Sequence, residues 1–134
     1  MVRADGEKLP FAKPDSIRPE LLETFPYALP ELAIGQTPNQ RITCTTPEFS
    51  AVCPFSGLPD IATVTIEYTP NQKIIELKSL KYYLLSYRQV GIYQEHATQK
   101  IFADLQKVLR AKQLKVTTSY NTRGGIDTTC VIEK

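Results

Sequence analysis

The sequence predicts an α+β fold: a four-stranded antiparallel sheet with two helices on one face, in the order ββααββ. Three observations predict it. Apolar residues alternate in runs before residue 77 and again after residue 113. Between those runs the apolar spacing switches to three and four, the period of a helix. The strands fall in pairs on either side of the helices, so each pair forms simple antiparallel neighbours. With 134 residues and 42% apolar content the chain is one domain with a real core, domains running to about 100–200 residues.

Residues 1–37 form a Pro-rich N-terminal arm, and residues 38–134 a single folded domain. Pro10, Pro14, Pro19, Pro26, Pro30 and Pro38 fix φ and remove donors, which excludes a long helix or a central strand here. Leu21, Leu22, Phe25 and Tyr27 are its apolar anchors, and a short helical turn over Arg18–Thr24 is compatible with the pattern. Residues 40–46 alternate Ile42 and Cys44 against Arg41, Thr43 and Thr45, a half-buried strand that Pro47 ends or kinks. Residues 61–69 form the clearest strand, with Ala62, Val64, Ile66 and Tyr68 on one face; Pro70-Asn71-Gln72 then turns the chain. A short extended piece spans Lys73–Glu76.

Leu77, Leu80, Leu84 and Tyr87 mark the first helix, which Gly91 breaks. Tyr93, Ala97, Ile101, Leu105 and Val108 mark the second, from about Ile92 to Ala111. Alternation returns at 114–120, Arg123-Gly124-Gly125 reads as a turn, and Ile126–Ile132 is the last strand, with Ile126, Thr128, Cys130 and Ile132 on one face. Four strands around so small a core leave edges that need partners, and pairing with neighbouring subunits would close such sheets into a barrel.

Composition excludes several classes. A net charge of +2 is too weak for a nucleic-acid scaffold, so no direct nucleic-acid partner is expected. There is no apolar run of about 18 residues to cross a membrane, and Met1–Lys13 lacks a signal-peptide core. Three irregularly spaced cysteines (Cys44, Cys53, Cys130) disfavour a disulfide framework and suit a reducing cytoplasm. There is no GxGxxG, no P-loop, no Cys-x-x-Cys and no His-x-x-x-His, so no metal is expected to be required.

The densest chemistry lies in Cys53-Pro54-Phe55-Ser56-Gly57-Leu58-Pro59-Asp60. Two prolines and a glycine forbid regular structure, and a thiol opens the loop while a carboxylate closes it. Covalent thiol chemistry needs a nucleophile and an acid/base group over one small volume. The plain alternative is a surface turn with an inert, buried Cys. In a second stretch, Glu76-Leu77-Lys78-Ser79-Leu80-Lys81-Tyr82-Tyr83, Lys78 and Lys81 share a helix face. That pair suits a phosphate, helped by backbone N–H groups, or is an ordinary solvated face. Glu95 and His96 stand early in the second helix. A carboxylate there suits a purine-like N–H edge, whereas a lone His is more often structural. Arg123-Gly124-Gly125 sets a guanidinium on a turn that backbone or ligand can approach closely, or is a simple hairpin turn.

These blocks closely resemble the NADPH-dependent 7-cyano-7-deazaguanine reductases, the nitrile reductases of queuosine (tRNA modification) biosynthesis. The run Glu76–Tyr83 is similar to that family's signature, and Cys53–Asp60 to its nucleophile loop. Glu48-Phe49, Ile92-Tyr93-Gln94-Glu95 and Arg123-Gly124-Gly125-Ile126 match further blocks in order, Leu22-Glu23-Thr24-Phe25 has a familial look, and the likeness runs from about residue 20 to the end. The resemblance implies the tunnelling fold and, at this length, rings of subunits stacked in pairs, a decamer of two pentamers with active sites between subunits. It implies catalysis by Cys53, as a nucleophile forming a thioimide, and by Asp60, as the acid/base group. Substrate would be held by Glu95, Glu76 and Phe49, with His96 nearby. NADPH would be met by Lys78, Ser79, Lys81, Arg123, Gly124 and Gly125. One departure stands at Gln94, where many members carry a His; Gln donates a hydrogen bond but carries no proton at neutral pH. Two rivals remain at this point: a zinc-dependent pterin cyclohydrolase or similar enzyme of the same fold, and a non-catalytic, ring-forming binding module.

Overall fold

The computed structural model describes residues 2–27 and 39–134. The expected boundary between arm and domain at 37/38, with Pro30 and Pro38, lies outside the described residues. Eight regular elements follow: β1 (Thr24–Pro26), β2 (Ile42–Val52), β3 (Pro59–Thr69), β4 (Lys73–Ile75), α1 (Leu77–Leu85), α2 (Gln94–Leu109), β5 (Gln113–Tyr120) and β6 (Thr129–Glu133). Single 3-10 turns at Pro14–Ser16 and Pro19–Leu21 precede them, the second within the stretch where a helical turn was expected.

The main sheet has the order β2-β3-β5-β6, every pair antiparallel, and β1 pairs with β4 in a separate ribbon. In β3, Ala62, Val64, Ile66 and Tyr68 are buried, and the residues between them are half-covered or exposed. Leu114, Val116, Thr118 and Tyr120 continue that buried face on β5. Against it pack Leu80, Tyr83 and Leu84 of α1 and Ala97, Ile101, Leu105 and Leu109 of α2, in one continuous core. Several polar groups in this layer are paired, although the Tyr120 hydroxyl and Gln106 Oε1 are buried without a hydrogen-bond partner among the described residues. The Tyr83 hydroxyl donates to Asp104 at 2.7 Å and meets the Tyr87 hydroxyl at 2.7 Å, while Lys100 closes on Asp104 at 3.0 Å. Thr98 and Thr118 join α2 to β5 at 2.6 Å.

Several boundaries differ from the sequence reading, each for a physical reason. Pro47 does not end β2: a bulge between Thr46 and Phe49 absorbs it, and pairing resumes to Val52. The loop after Cys53 is correspondingly shorter, because Pro59 and Asp60 already belong to β3. Helix α1 stops at Leu85, well before Gly91, and Tyr87 and Val90 are buried from the turns that follow. Helix α2 buries Leu109 rather than Tyr93, which is exposed at its N-cap. Ile126 is exposed in a turn, and β6 starts only at Thr129; Cys130 and Ile132 do share a half-covered face. Of the expected anchors of the arm, Leu22 is buried and Phe25 exposed, and Ile17 joins the core in addition.

Leu105 is wholly enclosed between α2 and the sheet. Leu105→Ala should therefore cost about 2–5 kcal/mol, read as a lower urea midpoint at unchanged slope.

Candidate active site

The β2–β3 hairpin is closed by a loop held by its own backbone hydrogen bonds. The Cys53 N–H donates to the Leu58 carbonyl and the Gly57 N–H to the Cys53 carbonyl, both at 2.9 Å. Gly57 takes φ +72°, a conformation that side chains with a Cβ avoid. The loop folds back over its own sulfur. The Phe55 N–H donates to Cys53 Sγ at 3.5 Å, and the Ser56 hydroxyl accepts from the Leu58 N–H at 3.2 Å. Cys53 is only 4% exposed. Burial pushes its thiol up, but hydrogen bonds from the Ser56 amide and hydroxyl, the Phe55 amide and the Arg123 guanidinium outweigh it and lower the pKa to about 7.

Asp60 enters β3 opposite Ala51 and is 5% exposed. Arg123 reaches it from the turn that follows β5, the strand next to β3. Residues 123–126 form a tight turn in which Arg123 and Ile126 exchange backbone hydrogen bonds at 2.9 and 3.0 Å. Both central residues have positive φ, 59° at Gly124 and 76° at Gly125, which is why two glycines are needed there. The turn aims Arg123 Nη1 at both Asp60 oxygens, at 3.1 and 3.2 Å. Burial raises the Asp60 pKa; Arg123 opposes the rise, and the charge of Glu95 adds to it. Arg123 is itself held more firmly protonated by Cys53 first and then Asp60, against the effect of burial. One guanidinium thus serves the thiol and the carboxyl, and Glu95, in the first turn of α2, faces the same place.

Around this group lies an aromatic rim. Phe55 meets Tyr93 edge-on with centroids 6.0 Å apart, and Tyr93 meets the exposed His96 ring at 5.6 Å. Gln94 lends its carbonyl to the Thr98 hydroxyl at 3.0 Å.

The second expected block sits at the start of α1. Glu76 is its N-cap: its carboxylate accepts from the Lys78 N–H at 2.9 Å and the Ser79 N–H at 2.7 Å, and those bonds lower its pKa. The backbone donors expected to help bind phosphate are therefore already used. Ser79 is buried, donating to the Glu76 carbonyl at 2.7 Å and accepting from the Glu23 N–H at 3.0 Å. Lys78 and Lys81 are exposed, and among the described residues neither makes an ion pair. Phe49 is 2% exposed and tilted against Tyr87 at 5.2 Å, its edge reaching a groove of about 250 Å³ that Lys81 and Leu84 also line. Among the described residues no hydrogen bond or ion pair joins this block to Cys53 and Asp60, and no cluster of three or more His, Cys, Asp or Glu could hold a metal.

Comparison with known proteins then decides the family. Curated proteins from Thermotoga petrophila and Thermotoga maritima are each 49% identical over 130 residues, covering 96% of this chain and 89% of theirs. A third, from Caldicellulosiruptor bescii, is 50% identical over 117 residues, covering 87% and 85%. All three are named NADPH-dependent 7-cyano-7-deazaguanine reductase.

The chain belongs to the 7-cyano-7-deazaguanine reductase family.

The family model described as QueF-like protein matches residues 59–134. A solved structure titled as the apo form of the archaeosine synthase QueF-Like superposes with a TM-score of 0.63 at 23% identity, over 72% of this chain and 94% of that one, and so shares the fold. Within this reductase-family frame two features escaped the sequence reading. Ser56 was quoted in the loop without a role, although a hydroxyl between Phe55 and a turn glycine was the available signal. Arg123 was assigned only to the cofactor, and nothing in its spacing showed that the last turn folds back onto Asp60.

The thiol geometry sets a measurable profile. Alkylation of Cys53, followed by mass spectrometry at that peptide, should rise with pH to a midpoint at about 7. Arg123→Met should move that midpoint upward by about one unit, since the thiolate loses a cationic donor.

Proposed function

We propose that the protein reduces the nitrile of 7-cyano-7-deazaguanine to 7-aminomethyl-7-deazaguanine at the expense of two NADPH, as a step of queuosine biosynthesis. The carrying observation is the triad of Cys53, Asp60 and Arg123 at one end of the sheet, in a chain of this family. A thiol half-ionised near pH 7 is a competent nucleophile toward an electrophilic carbon. A buried carboxyl with a raised pKa can hold the proton that the nitrile nitrogen must receive.

The Cys53 sulfur adds to the nitrile carbon, and one C–N bond order moves to nitrogen, which takes its proton from Asp60. The product is a thioimide bound to the enzyme. NADPH supplies two hydrides, one to break the thioimide down to an imine and a second to give the amine. The C–S bond breaks in the first of these, returning the thiolate to its cradle of amides and Arg123. Two protons from solvent, relayed through Asp60, complete the balance. Glu95 accepts hydrogen bonds from the deazaguanine N–H edge, with His96 and Tyr93 bounding that side of the site. Glu76 and Phe49 are proposed to complete the base pocket from another subunit.

Lys78 and Lys81 fit the cofactor's phosphates, since both side chains are exposed and make no ion pair among the described residues, with Lys78 Nζ held over the Tyr82 ring at 6.0 Å. A Cβ at Gly124 or Gly125 would meet nothing within 4 Å, so a ligand can approach the turn. Ser79 supports that site through its bond to Glu76, and the solvent-facing half of Arg123, whose side chain is 49% exposed, can add to it. Phe55, Leu58, Ile61 and Ile126 leave exposed apolar surface on the nucleophile loop, the start of β3 and the last turn. That surface supports assembly of tunnelling-fold subunits into a barrel, with sites between subunits and two pentamers forming a decamer. Among the described residues no helix is long and apolar enough to cross a membrane, and we place the enzyme in the cytoplasm.

Mixing protein, nitrile and NADPH should consume two cofactors per amine formed; a ratio of one, or stoichiometric zinc in active protein, would overturn this reading. Without NADPH, substrate should add its mass to Cys53, and Cys53→Ala should abolish both adduct and turnover. Asp60→Asn should lower turnover by about 10²–10⁴-fold, with any adduct trapped.

A further inference from the structure

The N-terminal arm does something that its Pro-rich composition does not suggest: it runs directly behind the nucleophile loop. The Leu9 N–H donates to the Ser56 carbonyl at 3.0 Å. Leu9 lies so close to Gly57 that a Cβ there would collide with the Leu9 carbonyl. Two residues on, the Phe11 ring lies flat on Gly91 in the space a Cβ would fill. Gly91 does not take a positive φ, so its lack of a side chain serves this contact and not a backbone conformation. At Ala12 the arm becomes a strand-like edge. Its N–H donates to the Gln89 carbonyl at 2.7 Å and its carbonyl accepts from the Gly91 N–H at 2.9 Å.

The segment that receives the arm is itself bonded to the residue preceding the nucleophile. The Val52 N–H donates to the Val90 carbonyl at 3.0 Å, and the Ile92 N–H to the Val52 carbonyl at 3.2 Å. Parallel bridges Ala12–Val90 and Val52–Gly91 thus place the arm, residues 89–92 and the end of β2 side by side. The loop is gripped at two points, at Val52 through this ladder and at Ser56 directly. Ser56 directly follows Phe55, whose amide donates to the Cys53 sulfur at 3.5 Å, and its hydroxyl accepts from the Leu58 N–H across the loop.

We propose that Leu9–Ala12 is a positioning strap for the nucleophile loop, fixing Ser56 and with it the neighbouring Phe55 amide that donates to the sulfur of Cys53. This rests on reading Cys53 as the nucleophile. A loop of six residues closing a hairpin would otherwise sample several conformations, and each lost donor would return the thiol toward its ordinary acidity. Residues 2–7 are different. Their backbone bonds are local, Asp5 N–H to the Val2 carbonyl and Glu7 N–H to the Ala4 carbonyl, and they make none to the loop.

The test is Leu9→Pro in the full chain, which deletes the donor to the Ser56 carbonyl beside a residue that is already proline. The alkylation midpoint of Cys53 should rise by at least about half a unit, and adduct formation without NADPH should slow about tenfold. The KM for NADPH should stay within about twofold, because the phosphate-binding lysines are untouched. Phe11→Ala should give the same pattern more weakly, and removal of residues 2–7 should leave it unmoved. A strap that merely adds stability would lower Tm without shifting the alkylation midpoint, and that result, in both Leu9→Pro and Phe11→Ala, would overturn the proposal. Alkylation needs neither nitrile nor cofactor, so the strap is tested even if the wild-type protein forms no adduct and the reductase reading fails.

Discussion

A buried carboxyl next to a thiol that must ionise is an electrostatic conflict, and the Arg123 guanidinium resolves it. Two acidic groups over one small volume raise each other's pKa, and burial raises both further. A single cation bonded to both oxygens of Asp60, and acting on the Cys53 thiol to favour its charged form, makes either ionisation tolerable. Lysine would not substitute well, because the pairing uses a planar donor between two acceptors. The balance is incomplete in a useful direction. Arg123 draws the thiol down, while burial and Glu95 keep Asp60 above its ordinary value. In the proposed reaction this lets the Cys53 thiol gain charge while Asp60 keeps a proton within reach.

The fold exists in service of that arrangement. Cys53 and Asp60 come to the same end of the sheet because β2 and β3 form a hairpin, in register Val52–Pro59 and Ala51–Asp60, with Cys53 just beyond its last pair. Arg123 arrives because β5 pairs with β3 and places Tyr120 opposite Ala62, so the chain leaves the sheet beside Asp60. Glu95 arrives because α2 starts at the same end and packs its Ala97, Thr98 and Ile101 on β5. Four chain segments converge there, and the two helices with their tyrosine–aspartate network keep the sheet rigid beneath them.

Much of this was legible in the sequence, within limits that have physical causes. Periodicity located the helices and the long strands, because alternation and the 3.6 period record which face is buried. It leaves Pro47 as either an end or a kink of the strand, and only the third dimension shows the bulge that lets pairing continue to Val52. It misread Gly91 as a helix breaker, when α1 had already ended and the glycine makes room for Phe11. The site residues were named by motif, yet their partners were not. The contact between Asp60 and Arg123 spans 63 positions, and no local pattern encodes it. Glu76 and Ser79 illustrate the reverse: their spacing is that of a helix cap, and in the chain they cap α1 and anchor Glu23.

The three cysteines show what distinguishes a nucleophile from a packed thiol. Burial alone would make Cys53 the least reactive, for it is more enclosed than the half-covered Cys44 and Cys130. Cys44 follows that expectation: it lies on a strand face with no hydrogen-bond donor to its sulfur among the described residues, and burial pushes its thiol up. Cys53 reverses it because a tight loop turns two amides and a hydroxyl inward and the last turn of the chain adds a guanidinium. Those donors are fixed by Gly57, whose positive φ folds the loop, and by Leu9, which lies against its outer side. Reactivity here is thus a property of loop geometry. Enclosure, which would silence an unassisted thiol, instead removes competing water and strengthens each of those hydrogen bonds.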